Sequence, residues 1–468
     1  MLILATLIAY FVALLLISRL THGGGERNDD FFRASRRSPW PMVAFGMIGA
    51  SISGVTFISV PGMVIGSDMT YLQMCIGFIF GYFAVAFLLL PVYYRMGSPT
   101  IYTYLGRRFG PRAYTTGASF FLLSKMAGAA VRFYVVCMIL QRYVVADRLP
   151  FALTVVLMVM LIWIYTRQSG VKTLVWTDPF QTACLFLALL LIIYMVTQRL
   201  GLGLGETVSA VANSEKSRIF VFDDWVSRQN FWKQFFSGIF VVIVMTGLDQ
   251  DMMQKNLTCK TLREAQKDMC CYGLAFVPAN LLFLSLGVLL LMLGEMPSAP
   301  DELLPMWAAT GRLGDAAVAL FAIGIVAASF SSADSALTAL TTSYCIDIRR
   351  RPDDERLRRR AHVAVCIVFA LLIVAFQAVN STSVIDAIYI LCSYTYGPLL
   401  GLFAYGLLTH RTIDDRWSPF VAVVSPLLCL LIDQSAQRLW GYRFGYELLM
   451  LNGALTFAGL WLSSVAKR

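Results

Sequence analysis

Thirteen stretches of this sequence are apolar for about the thickness of a lipid bilayer, and that leaves few folds open to it. They run over 2–20, 41–65, 72–94, 115–141, 150–166, 174–197, 233–253, 271–293, 315–346, 361–378, 384–408, 417–434 and 446–464. A helix needs about 20 apolar residues to cross the hydrocarbon core. Only 14% of the chain is charged, where a soluble domain carries roughly a quarter, and nothing of domain size lies between the windows. The sequence therefore predicts a single all-α polytopic membrane domain over 1–468, with about 13 transmembrane helices. The first window has no basic leader and no small-residue cleavage site, so it reads as a retained helix.

Orientation follows from the basic residues, which gather on the cytoplasmic side. With the N-terminus outside, the inner connections and chain end hold 26 of the 38 Lys and Arg and the outer ones 10; Lys125 and Arg132 lie within a span. The expectation is a multi-pass protein of the plasma (inner) membrane with its C-terminus in the cytoplasm. The net charge of +10 then reports topology, so no nucleic-acid partner is expected. "RRRPDDERLRRR" reads as a solvated inner loop. The ten cysteines fall in or beside spans or on the inner side, and no CxxC or Cys/His metal spacing occurs. The three histidines (His22, His362, His410) lie at or near inner connections, which argues against intramembrane hydrolase chemistry.

Two windows carry breaks. "GASISGVT", in the second, places Gly and Ser where an apolar helix would use Leu. The seventh, "FFSGIFVVIVMTGLDQD", carries Gly238 and Gly247. Non-helical backbone at membrane depth survives where protein or a water-lined cavity satisfies it, and paired broken helices in corresponding halves point to a binding site. The offset of five windows suits a five-plus-five repeat; the plainer reading is helix packing on small residues.

The ninth window, "FAIGIVAASFSSADSALTALTTSYCID", crowds hydroxyls around Asp334. An ionisable group within a span is a functional-site hypothesis by default. At 100° per residue Ala328, Ser331, Ser332 and Ser335 share one face, and hard cations prefer such oxygen ligands.

The order of "DDFFRASRRSPWPMVAFGMIGASISGVTFIS", "PTIYTYLGRRFG", "WTDPFQ", "GLDQDMMQKNLTCKTLREAQK" and "AASFSSADSALTALTTSYCIDI" resembles the sodium:solute symporter family. The resemblance implies the leucine-transporter fold: a leading helix and inner linker over 1–40, inverted five-helix repeats over 41–197 and 231–410, and two peripheral helices over 415–468. It implies Na+ as the coupling ion, one or two per cycle. One site would use the Gly49 and Ile52 carbonyls of the break, the Ala328 carbonyl, and the Ser331 and Ser332 hydroxyls. A second, found in some bacterial members, would use Asp178, Ser335 and position 334, where this chain has Asp in place of their Ser. The alternative is an aspartate paired with Lys125 or Arg132.

Arg132 lies deep in its window, seven residues after Lys125, and its planar fork matches a carboxylate. Bacterial sialic-acid symporters of the family use an arginine on this helix, with hydroxyls matched here by Ser51, Ser53 and Thr56 and a glutamine matched by Gln73. The plainer reading is a structural ion pair with Asp178 or Asp334. Sugar-transporting members place polar groups where Val242 and Met245 stand. The sequence thus leads to a Na+-coupled importer of a carboxylated, polyhydroxylated solute such as sialic acid. The alternatives are another organic acid, an amino acid, a neutral sugar, or a transporter-like membrane sensor. No enzymatic activity and no obligate protein partner are expected. Asp249, Gln250 and Asp251 read as gate or cap residues, and Tyr71, Phe78, Phe80, Tyr394 and Tyr396 as aromatics closing the cavity.

Overall fold

The computed structural model describes residues 2–21, 28–145, 149–167, 170–377, 384–442 and 444–465. His22, the whole "GGGER" stretch and the last three residues lie outside them. Among the described residues, eight helices are long and apolar enough to cross a bilayer, or ten if each of two bent pairs is one span. Two shorter apolar helices, Phe151–Thr166 and Leu448–Leu462, and the helix Val384–Leu408 fall on the remaining windows. The only strands among the described residues are Thr412–Ile413 and Ser464–Val465, paired antiparallel.

Local chemistry sets the helix ends. Gly110, at φ 145°, turns the chain into Pro111, whose ring fits the first turn of Pro111–Ile139. Gly201 closes Val171–Leu200 in the left-handed conformation, and Gly441 does so for Ser418–Trp440. Asp354 accepts the Leu357 N–H at the start of Glu355–Phe376, and Thr261 that of Glu264 before Leu262–Leu291.

The Ser-rich helix Asp315–Ser343 is the axis of the bundle. Its apolar window is 72% buried, against 17% for the leading helix. It packs on Val171–Leu200, on Pro111–Ile139 and on both halves of the first bent pair. A helix enclosed on all sides needs no lipid-facing stripe, so it tolerates Ser, Thr and Asp where a peripheral helix could not.

Glycines bring other helices into backbone contact. A Cβ at Gly77 would fall 2.2 Å from the Phe235 carbonyl oxygen, and one at Gly238 would fall 2.4 Å from that of Met74. Gly238 is therefore a packing residue, and the second break lies beyond Gly247. A Cβ at Gly287 would lie 2.2 Å from the Pro61 carbonyl oxygen, while Gly66 faces open space. Gly287→Ala should overpack this contact and destabilise the protein by about 1–3 kcal/mol, seen as a lower midpoint of thermal unfolding in detergent. Gly66→Ala serves as the unchanged control, and equal midpoints for the two variants would refute the packing argument.

Candidate functional site

Two breaks define the centre. Trp40–Ser51 and Gly54–Ser67 meet at 60° across Ile52 and Ser53, and the span Phe231–Gly247 meets Gln250–Asn256 at 69°. The first break falls within "GASISGVT", as the sequence expectation had it. The breaks differ in what becomes of their backbone. At the second, Tyr93 and Tyr102 donate hydroxyls to the Gly247 and Leu248 carbonyls at 2.8 and 2.9 Å. At the first, the Ile52 N–H returns to Ile48 and the Ser53 N–H to Ser51. Among the described residues, no backbone N–H reaches the carbonyl of Gly49 or Ile52. One break is capped by tyrosines; the other keeps carbonyl oxygens for something else.

Gly49 packs directly on Thr182 and Gly46 on Asp178, both on the helix Val171–Leu200, while Gly54 packs on Ser329 of the Ser-rich helix. Ser331 donates its hydroxyl to Asp178 Oδ1 at 3.1 Å. A hydroxyl that gives its hydrogen to a carboxylate keeps its lone pairs for a cation. Ser332 donates to the Ser329 carbonyl at 3.1 Å and lines the central cavity with Ser51 and Ser53. The break and the Ser-rich face expected to act together do converge, with Ala328 buried beneath them.

The residues of the second candidate ion site are also adjacent, with one addition. Ser335 donates to the Ser331 carbonyl at 2.8 Å and contacts Asp334 Oδ1 at 3.2 Å, and Tyr165 donates to Asp334 Oδ2 at 2.6 Å. Asp178 Oδ2 lies 2.6 Å from Lys255 Nζ, with both side chains buried. The sequence reading had placed Lys255 among the basic residues of an inner connection; instead it is folded into the bundle. The signal was available, since Asp251 and Lys255 stand four apart, one turn beyond a break.

The central cavity lies between the two broken spans. Ser51, Ser53, Thr56 and Arg132 line it, as expected of substrate residues, with Tyr71, Phe78 and the apolar Val242 and Met245. Ser51 shares a short hydrogen bond with Tyr272, which also receives one from Tyr82 at 2.7 Å. These two tyrosines were not foreseen. Arg132 makes no ion pair among the described residues, so the alternative pairing with Asp178 or Asp334 is not formed and the guanidinium lies on the cavity wall. Lys125 is paired instead with Asp249 at 3.1 Å and Asp251 at 2.7 Å. Asp249 caps the inner half-helix through the Asp251 N–H and receives the Tyr396 hydroxyl at 2.6 Å.

Three further expectations are corrected. Gln73 is off the cavity wall: its amide donates to the Thr70 and Gln229 carbonyls and accepts the Val221 N–H, pegging a long connection. Phe80 is exposed on the outer surface of the bundle and Tyr394 lies toward Asp433, so neither closes the cavity. His362 is buried between Thr166 and Thr341 rather than at a solvated edge.

Residues 28–38, after the leading helix, are tied to the bundle at several points. Ser38 bridges to Cys259, Gln254 donates to the Phe32 carbonyl and to Thr342, and Lys172 pairs with Asp30 at 3.0 Å. A hydroxyl-lined cavity at paired half-helices is the architecture of a secondary transporter. Residues 31–415 match the family model for the sodium:solute symporter family, and the chain belongs to that family. It is 24% identical to the sodium/sialic acid symporter NanT of Aliivibrio fischeri, over 94% of this chain and 89% of that one. It is equally identical to the human sodium/iodide cotransporter, over 83% of this chain and 62% of that longer protein. Its fold matches the substrate-bound outward-open structure of a Na+-coupled sialic acid symporter, with a TM-score of 0.84 over 99% and 97% of the two chains at 20% identity.

Removing Lys125 would leave two buried carboxylates facing one another. Lys125→Met should destabilise the protein by about 3–5 kcal/mol, and adding Asp251→Asn should recover part of that loss. Thermal unfolding of both variants in detergent checks this; a Lys125→Met protein that unfolds like wild type would refute the pairing.

Proposed function

We propose that the protein imports a carboxylated, polyhydroxylated solute of the sialic acid type with Na+, by alternating access. The observation that carries the substrate class is the Arg132 guanidinium, unpaired among the described residues and set in a hydroxyl-lined cavity. Arg132 is half-buried on the cavity wall, and a solute carboxylate is the partner its fork suits. Ser51, Ser53, Thr56 and the Tyr272–Tyr82 pair then meet the solute's hydroxyls. The likeness to a sodium/sialic acid symporter over nearly the whole length supports this reading. Equal identity to an iodide carrier means that overall similarity alone does not choose the solute.

Na+ would sit between the first break and the Ser-rich helix, on the carbonyls of Gly49, Ile52 and Ala328 and the hydroxyls of Ser331 and Ser332. A break is required because intact helical carbonyls are already in use. Ser332 touches both this group and the cavity, which couples ion and solute. Each Na+ moving down 100 mV contributes about 2.3 kcal/mol, which the charge of a co-imported monovalent anion offsets, and its concentration gradient adds to this. In this reading the thirteen windows are thirteen spans, 41–197 and 231–410 are inverted repeats rocking about the breaks, and 415–468 is peripheral. The segment 28–38 faces the cytoplasm, with the N-terminus outside.

A second reading has its own observation. The Asp251 carboxylate lines the cavity, and its Oδ1 is buried without a hydrogen-bond partner. A carboxylate oxygen without a hydrogen-bond partner and an unpaired guanidinium lining the same cavity also suit an amino acid, carboxylate on Arg132 and ammonium on Asp251.

Uptake into proteoliposomes under an inward Na+ gradient tests these readings. Sialic acid should accumulate with Na+ and not with K+ outside. Arg132→Lys keeps the charge but loses the fork, and should raise KM at least tenfold, while Ser332→Ala should shift the Na+ dependence to higher concentration. Na+-driven uptake of amino acids but not sialic acid would select the second reading; uptake indifferent to Na+ would refute the coupling.

A further inference from the structure

The second candidate ion site already contains a cation. Lys255 Nζ lies 2.6 Å from Asp178 Oδ2, and the other oxygen of that carboxylate takes the Ser331 hydroxyl at 3.1 Å. Asp334 stands one helical turn beyond Ser331, satisfied by Tyr165 and Ser335. Asp251 stands one turn before Lys255 on the helix Gln250–Asn256. All four side chains are buried. The ammonium is therefore paired with the Asp178 carboxylate expected to hold a second Na+, the same carboxylate that Ser331 meets.

We propose that Lys255 is a tethered counter-cation that takes the place of a second sodium, so that this transporter binds one Na+ per cycle. This rests on the sodium-coupled reading above and deepens it by fixing the ion count. The charge balance at the centre agrees. Asp178, Asp249, Asp251 and Asp334 supply four carboxylates, while Lys125, Lys255 and Arg132 supply three cations. One Na+ neutralises the remainder; two would leave an excess positive charge until a solute anion arrived. A second site made of Asp178 and Asp334 alone would attract an ion, but a fixed ammonium at 2.6 Å both repels a second cation and fills its space. A tethered charge also stays with the protein throughout the cycle. Import of a monovalent anion with one Na+ then moves no net charge and gains no drive from the membrane potential.

The test counts ions without any solute. Radiolabelled Na+ is titrated onto purified protein in detergent, wild type beside Lys255→Met, a side chain of similar length without the charge. The expected result is one ion per wild-type chain and two for Lys255→Met, with the second lost again when Ser335→Ala is added. Two ions on wild type, or one on a folded Lys255→Met protein, would overturn the proposal. If Lys255→Met does not fold, the wild-type count decides, one ion supporting and two overturning. No bound ion in either protein would instead sink the sodium reading beneath it, a different result. In proteoliposomes, wild-type uptake of a monovalent solute should be unchanged by an imposed inside-negative potential; a several-fold stimulation would overturn the single-ion cycle.

Discussion

Four carboxylates sit at the centre of this membrane bundle, and most of the interior is arranged around keeping them tolerable. Ionised groups taken out of water survive when paired and hydrogen-bonded. Asp249 and Asp251 share Lys125, Asp178 has Lys255, and Asp334 leans on Tyr165 and Ser335. These pairs join five different helices. They hold the inner half of the second broken span against the Val171–Leu200 and Pro111–Ile139 helices, so the same charges that set the chemistry also set the packing.

The unequal treatment of the two breaks follows from the same economy. Backbone freed from a helix must find partners, and at membrane depth there are few. Tyrosines meet that need at Gly247 and Leu248, which makes the second break a structural joint. At Ile52 and Ser53 the chain turns tightly instead, and among the described residues the Gly49 and Ile52 carbonyls accept no backbone N–H. The proposed ion binds the break that needs it.

The spans, both breaks and the Ser-rich face were legible in the sequence because each is local. Runs of apolar residues, glycines in a monotonous helix and hydroxyls four apart need no tertiary information. Pairing did need it. Lys255 looked like one more basic residue of an inner loop, since hydropathy does not show that a half-helix folds back into the bundle. Gln73 stood where a substrate glutamine was expected and proved to peg a connection, because its neighbours Gln229 and Val221 come from far along the chain. Arg132 was recognised, yet whether it was paired or open depended on which lysines reached the aspartates first. Tyr82 and Tyr272 carried no signal at all among the chain's twenty tyrosines.

The reciprocal contact of Gly77 with Phe235 and of Gly238 with Met74 bears on how such a molecule moves. Backbones that touch through missing side chains interlock like teeth and resist sliding. The helix Tyr71–Ala84 and the Phe231–Gly247 half of the second broken span therefore form one stiff beam, so the rocking proposed for the two repeats cannot slide one along the other here. Rotation is left to its end, where the chain turns at Leu248 and Asp249, and there the beam meets the Lys125 ion pair. In the proposed cycle a small tilt of the beam arrives at the centre as a displacement of charge.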